Sequence, residues 1–201
     1  APQDPLDLIE RMADAAVHIV SLTVTEKGYC HVPSTVALDE THPNIQHDLA
    51  AAAPKSAVGF IVRALQRRWE RGLRPFTVMS CANLPDNGRV ARNVVTEFAQ
   101  RLDPSLARWI EADGRFPSTM VDRIVPATTE HDIARLAAVA GQVDAAPVFH
   151  EPFLQWVIED SFVDARRPAF ETATGVQMVQ AVAPFEFMKI RMLNGTHSTL
   201  A

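Results

Sequence analysis

Short β-branched apolar runs alternate along this chain with segments of helical period, and that alternation restricts its fold more than any other feature. Residues 18 to 24 (HIVSLTV), 76 to 81 (FTVMSC) and 120 to 125 (MVDRIV) read as buried strands. A helical pattern precedes each of them. Residues 5 to 16 carry Leu6, Ile9, Met12 and Ala13 at helical spacing, residues 56 to 71 open on Ser56 as an N-cap, and residues 89 to 102 and 105 to 112 lead into the third strand. Strands separated by helices imply right-handed crossovers, so the expected class is α/β, a doubly wound parallel sheet with helices on both faces. Ligands in that class lie beyond the carboxyl ends of the strands, where the loops VTEKGYC, CANLPDNG and VDRIVPAT would converge.

Two stretches break the alternation. Residues 25 to 54, rich in Pro, Asp, Asn and His, are expected to form a polar loop. Beyond residue 127 the composition shifts to a helix over 129–140, an irregular aromatic segment over 150–162, a strand-like stretch over 175–182 and a last helix from about Pro184. Glu151 and Trp156 in the aromatic segment would pack a seam between domains, and a boundary is expected between 127 and 150.

A length of 201 residues, 47% of them hydrophobic and 21% charged, suits one domain or one plus part of another. The net charge of -5, with Lys and Arg scattered, offers no basic face for phosphates, so nucleic acid is not an expected partner. No apolar run approaches the roughly 20 residues that cross a bilayer, and the first residues are acidic rather than a basic-then-apolar signal. The expectation is a soluble, cytoplasmic protein without a membrane partner. Cys30 and Cys81 read as two buried reduced thiols. The chain starts without Met and stops at Ala201 inside a stretch of helical period, which suggests an internal piece of a longer protein. A G-x-G-x-x-G turn is absent, so either no dinucleotide binds or the segment that carries the turn lies upstream.

The residues that suggest chemistry gather at the end of the chain. On a helix, Lys189, Asn194 and His197 are offset by about 500° and 300° of rotation, so all three can face one cleft. They combine an amine, a neutral donor and an imidazole, the parts of a base, a carbonyl polariser and a positioner, although such residues are also common on half-exposed helices. Glu186, three residues before Lys189, is either a first-turn carboxylate favoured by the helix dipole or a group that tunes the lysine. Asn83 leaves the second strand where its amide can reach a substrate oxygen, whereas Asp86-Asn87-Gly88 reads as a turn supplying positive φ. Asp122 falls inside the third expected strand, where an unpaired carboxylate is unfavourable and Arg123 points to the opposite face. His42, His47 and Asp48 sit close in sequence, but no closely spaced Cys and His set supports a metal site. The lack of a G-x-S-x-G elbow or a P-loop disfavours a hydrolase or an NTPase.

Six blocks in order, SLTVTEKGYC (21 to 30), SCANLPDNG (80 to 88), FPSTMVDRIVPAT (116 to 128), EPFLQWVIED (151 to 160), GVQMV (175 to 179) and MKIRMLNGTHSTLA (188 to 201), resemble the long-chain mannitol dehydrogenase family. The resemblance implies a metal-independent, NAD-dependent oxidoreductase acting on a small sugar, polyol or hexuronate. Residues 1–127 would then be the C-terminal part of a Rossmann-type NAD-binding domain, and 128–201 a linker and the beginning of a helical substrate domain. Carried over residue by residue, it makes Lys189 the general acid/base, His197 a residue that orients it or the substrate, Asn194 and Asn83 donors to the developing alkoxide, Asp122 and Val121 substrate contacts, and Glu186 the carboxylate that gates or tunes Lys189. Asn83, Thr25 and Glu26 fall to the cofactor. Ala82 and His150 depart from the family's usual Asp and Cys beside matched positions. The wording of the blocks leans to fructuronate reductase, which interconverts D-fructuronate and D-mannonate. Mannitol 2-dehydrogenase and a non-catalytic Rossmann-like binding fragment are the alternatives.

Overall fold

The computed structural model describes residues 4–189 and 191. The first helix, α1 (Pro5–Met12), starts with Asp4 accepting from the Leu6 amide at 2.8 Å and leads to β1 (Ile19–Leu22). The expected polar loop is in fact built: a 3-10 turn (Glu26–Tyr29), an antiparallel hairpin of β2 (His31–Val32) and β3 (Ala37–Leu38), and α2 (Pro43–Ala50). Its polar composition hides two helix signals, Pro43 in the first turn and fully buried Ile45 on the inner face.

α3 (Ala57–Glu70) opens as expected, with Ser56 Oγ accepting from the Gly59 amide at 2.9 Å. Beneath that cap lies the buried carboxylate of Asp48, which accepts from the Lys55 amide, the Ser56 amide and the Ser56 hydroxyl at 2.8, 2.8 and 2.6 Å. Position 59 must be glycine, because a Cβ there would lie 2.4 Å from Asp48 Oδ2. β4 (Thr77–Ser80) pairs parallel to β1 from Ile19↔Thr77 to Leu22↔Ser80, the crossover the alternation required. All four β4 residues are buried, so both its faces are covered.

α4 (Asn87–Leu102) and α5 (Pro104–Asp113) follow, and with α1 and α3 they form the main core, in which Ile61, Leu65, Val78, Val94, Phe98, Leu106 and Ile110 are at most 1% exposed. The opposite face of β4 presents Met79 to Ile158, Phe162 and the ring of Phe170. A second ladder joins β5 (Thr119–Asp122), β6 (Gln155–Glu159) and β7 (Val176–Val179), with β5 and β6 antiparallel and β6 and β7 parallel. β6 replaces the irregular segment read from the sequence. Val157 and Ile158 are both fully buried, so the strand lacks the one-sided alternation that would betray it. The boundary placed after residue 127 thus falls between two paired strands, and α6 (Glu130–Ala140), which buries none of its residues, lies in the connection. α7 (Ala183–Met188) carries the chain to Lys189.

Candidate active site

The loop after β4 and the carboxyl end of β5 meet at Lys189. The Lys189 ammonium donates to the Val121 carbonyl at 2.6 Å and to Asn83 Oδ1 at 3.3 Å, and its nitrogen lies 3.9 Å from Asp122 Oδ1. Both charged side chains are withdrawn from solvent, at 19% exposure for Lys189 and 14% for Asp122. Asp122 is therefore the last residue of its strand and is paired with Lys189, rather than an isolated charge within the sheet. An ammonium has three hydrogens, and the described residues accept two of them here, which leaves one that a ligand oxygen can take. With Oδ1 of Asn83 accepting from Lys189, the NH2 group of the same amide is available as a donor.

Asn83, Val121 and Lys189 separate two concavities. One, of about 300 Å³, is closed by Pro85, Met120 and Glu186; the other, of about 610 Å³, by Ser21, Thr23, Cys81, Arg123 and Trp156. The Glu186 carboxylate accepts from the Asp86 amide at 3.2 and 3.3 Å. Burial pushes its pKa above the ordinary carboxylate value, against the Asp86 hydrogen bond and the nearby Lys189, which pull it down. Burial likewise raises the Cys81 thiol, which is only half-buried and borders the larger cleft instead of lying in the core. Thr25 and Glu26 are exposed just beyond β1 and border neither concavity. Asn194 and His197 lie outside the described residues.

Several expectations about the loops change. Positive φ falls on Asp86 (53°), while Asn87 is fully buried as the first residue of α4. Glu151 accepts from the Ile124 amide at 2.7 Å, and Trp156 sits in β6 with its ring centroid 5.7 Å from that of Phe170. His42 caps α2 by accepting from the Asn44 amide at 3.2 Å, and His47 Nδ1 lies 2.9 Å from the buried Asp48 carboxylate. Both histidines have local structural tasks. Sequence reading passed over Trp156, Arg123 and Thr23 as cleft residues. Their position at strand ends was the available signal, but β6 was not recognised as a strand.

Comparison with protein families matches residues 2–172 to the mannitol dehydrogenase Rossmann domain. The D-mannonate oxidoreductase of Escherichia coli (strain K12) is 52% identical over 195 residues, which is 96% of this chain and 40% of that protein. Among solved structures, a substrate-free D-sorbitol dehydrogenase superposes with a TM-score of 0.91 at 45% identity, covering 98% of this chain and 40% of its own. The mannitol 2-dehydrogenase of Pseudomonas fluorescens, in a ternary complex with NAD and D-mannitol, superposes with a TM-score of 0.86 at 47% identity, covering 96% of this chain and 39% of its own. The chain thus spans about 40% of the length of the curated relatives it matches. No helix among the described residues is long and apolar enough to cross a membrane.

Proposed function

The chain belongs to the mannitol dehydrogenase family, and from that premise we propose that, within a protein of the relatives' length, it forms part of an NAD-dependent oxidoreductase that interconverts a secondary alcohol and a ketone on a small sugar acid or polyol. The observation that carries the proposal is the lysine held between the loop after β4 and the carboxyl end of β5. Lys189 keeps one hydrogen for a ligand, beside an amide from Asn83, on the wall shared by two clefts. In the reducing direction Lys189 gives its proton to the carbonyl oxygen, while the Asn83 NH2 steadies the negative charge that develops there. In the oxidising direction the same nitrogen, deprotonated, takes the hydroxyl proton. Glu186, whose pKa burial raises, stands one helical turn away and can exchange that proton with solvent.

The residues present fit the nicotinamide end of the cofactor. The hydroxyls of Ser21 and Thr23 at the end of β1, Asn83 and the indole of Trp156 line the larger cleft, and the Trp156 N–H is buried without a partner. When bound, NAD supplies the acceptor for the hydrogen that leaves carbon with its electron pair. On the same reading Thr25 and Glu26, just past β1, are assigned to the cofactor, Asp122 and Val121 to the substrate, and Asn194 and His197 to catalysis beside Lys189.

For the substrate we favour the D-fructuronate and D-mannonate pair over fructose and mannitol, because identity to the D-mannonate oxidoreductase is 52%, against 48% to the mannitol 2-dehydrogenase of Pyricularia oryzae. NADH oxidation by the full-length protein, assayed with EDTA against fructuronate and fructose side by side, tests this. Preferential reduction of fructuronate is expected. Preference for fructose moves the enzyme to the hexitol branch, and activity with neither removes the oxidoreductase reading.

A further inference from the structure

Behind the loop and the strand end that hold Lys189 lies a buried side chain that touches neither the lysine nor either cleft. Asn87, fully buried, donates from Nδ2 to the Ala82 carbonyl and to the Thr119 carbonyl, each at 2.8 Å, and its Oδ1 accepts from the Thr119 amide at 3.0 Å. One side chain thus fastens the loop after β4 to the strand β5. The fastening points are close to the working residues: Ala82 is adjacent to Asn83, and Thr119 is two residues from Val121 along the same strand. Two further contacts press the same pieces together. The Gly88 amide donates to Ser118 Oγ at 3.2 Å, and the Thr119 hydroxyl donates to the Ser80 carbonyl at 2.7 Å. The approach is so close that a Cβ at position 88 would lie 2.4 Å from the Phe116 carbonyl oxygen. Asp86, immediately before Asn87, presents the amide that holds Glu186.

We propose that Asn87 is a positioning residue, which sets the spacing between Asn83 on the loop after β4 and Val121 and Asp122 at the end of β5, and so fixes where the Lys189 ammonium stands. A side chain meant only to cap a turn would need one local partner. This one commits its amide to three backbone atoms of two separate elements, each within two residues of a group that grips the lysine. Rotation of the loop without it would lengthen the Asn83 contact while leaving the Val121 contact in place, turning Lys189 away from the ligand oxygen. A misplacement of about 1 Å at a reacting group lowers rate by about a hundredfold.

The proposal rests on the oxidoreductase reading for its kinetic effect but not for its geometric one, and the test separates the two. Lys27, Lys55 and Lys189 are the only lysines in the sequence, and the first two are exposed, so they serve as internal references for competitive acylation followed by mass spectrometry. In the full-length protein, Asn87→Ala is expected to raise the acylation rate of Lys189 relative to Lys27 and Lys55. It should also lower kcat at least about tenfold while leaving the KM for NADH within about twofold. Val94→Ala, a cavity in the buried face of α4 remote from the clamp, controls for lost stability and should change neither quantity. If Asn87→Ala does not fold, Asn87→Ser, which keeps a hydrogen-bonding group but cannot span both backbones, takes its place. Unchanged Lys189 acylation, or an equal change in Val94→Ala, overturns the proposal. An inactive parent protein defeats the oxidoreductase reading and leaves the acylation comparison to decide Asn87.

Discussion

At the scale of single residues, the site is defined by what each polar atom has left to offer. Lys189 and Asn83 satisfy one another, and each is left with hydrogen for a ligand. Glu186 differs in that burial displaces its titration. The folded pKa is raised above that of the unfolded chain, so this carboxyl favours folding fully below the ordinary value of about 4.3 and loses that contribution as pH rises through the folded value. Glu186→Gln keeps an acceptor for the Asp86 amide but cannot ionise. The melting temperature of the wild type is therefore expected to fall relative to Glu186→Gln as pH is taken from about 4 to about 8. A difference in Tm that stays constant over that range would contradict the buried-carboxyl reading. Asn83 as a candidate could be read from its place at a strand end. Its meeting with Lys189, 106 positions away, could not be read from periodicity and rested on resemblance alone.

At the scale of elements, the clearest dependence is of α3 on the Asp48 carboxylate of α2. Desolvation by burial works to raise its pKa, but hydrogen bonds from Ser56, His47 and Lys55 outweigh it and hold it below the ordinary carboxylate range. Replacing Asp48 by Ala strands the Lys55 and Ser56 amides, and a loss of about 3 kcal/mol in urea unfolding is expected, since each unsatisfied buried donor costs about 1–3 kcal/mol. The sign with pH is opposite to that of Glu186. Stability from a depressed carboxyl is present above its unfolded pKa and lost as pH falls through its folded one, so the deficit of Asp48→Ala should shrink in acid. A deficit under about 1 kcal/mol at neutral pH would show that the cap does not depend on Asp48. The Ser56 cap was legible because its signal is local. α2 and β6 were not: the one is masked by polar composition, the other by burial on both faces. Asn87 was misread for a related reason, since Asn before Gly reads as a turn, whereas its partner Thr119 is 32 positions away.

At the scale of the whole molecule, the alternation of strand and helix anticipated the parallel pairing of β1 with β4, whereas β5, expected in that same sheet, pairs antiparallel with β6 in a second ladder; the loop after β4 and the end of β5 nevertheless meet at one edge. On the proposed chemistry, that edge would use an amine and an amide where other dehydrogenases use a Lewis acid, so turnover by the full-length protein is expected to be unchanged after exhaustive chelation. Loss of activity restored by a divalent cation would assign the carbonyl polarisation to a metal instead. The most direct measurement is the single-turnover rate of ketone reduction by the full-length protein with NADH, comparing wild type with Lys189→Ala. Removal of the proton donor should slow the chemical step at least about a hundredfold with NADH still bound. A rate near that of the wild type would contradict the assignment of Lys189, and with it the proposed chemistry of the site.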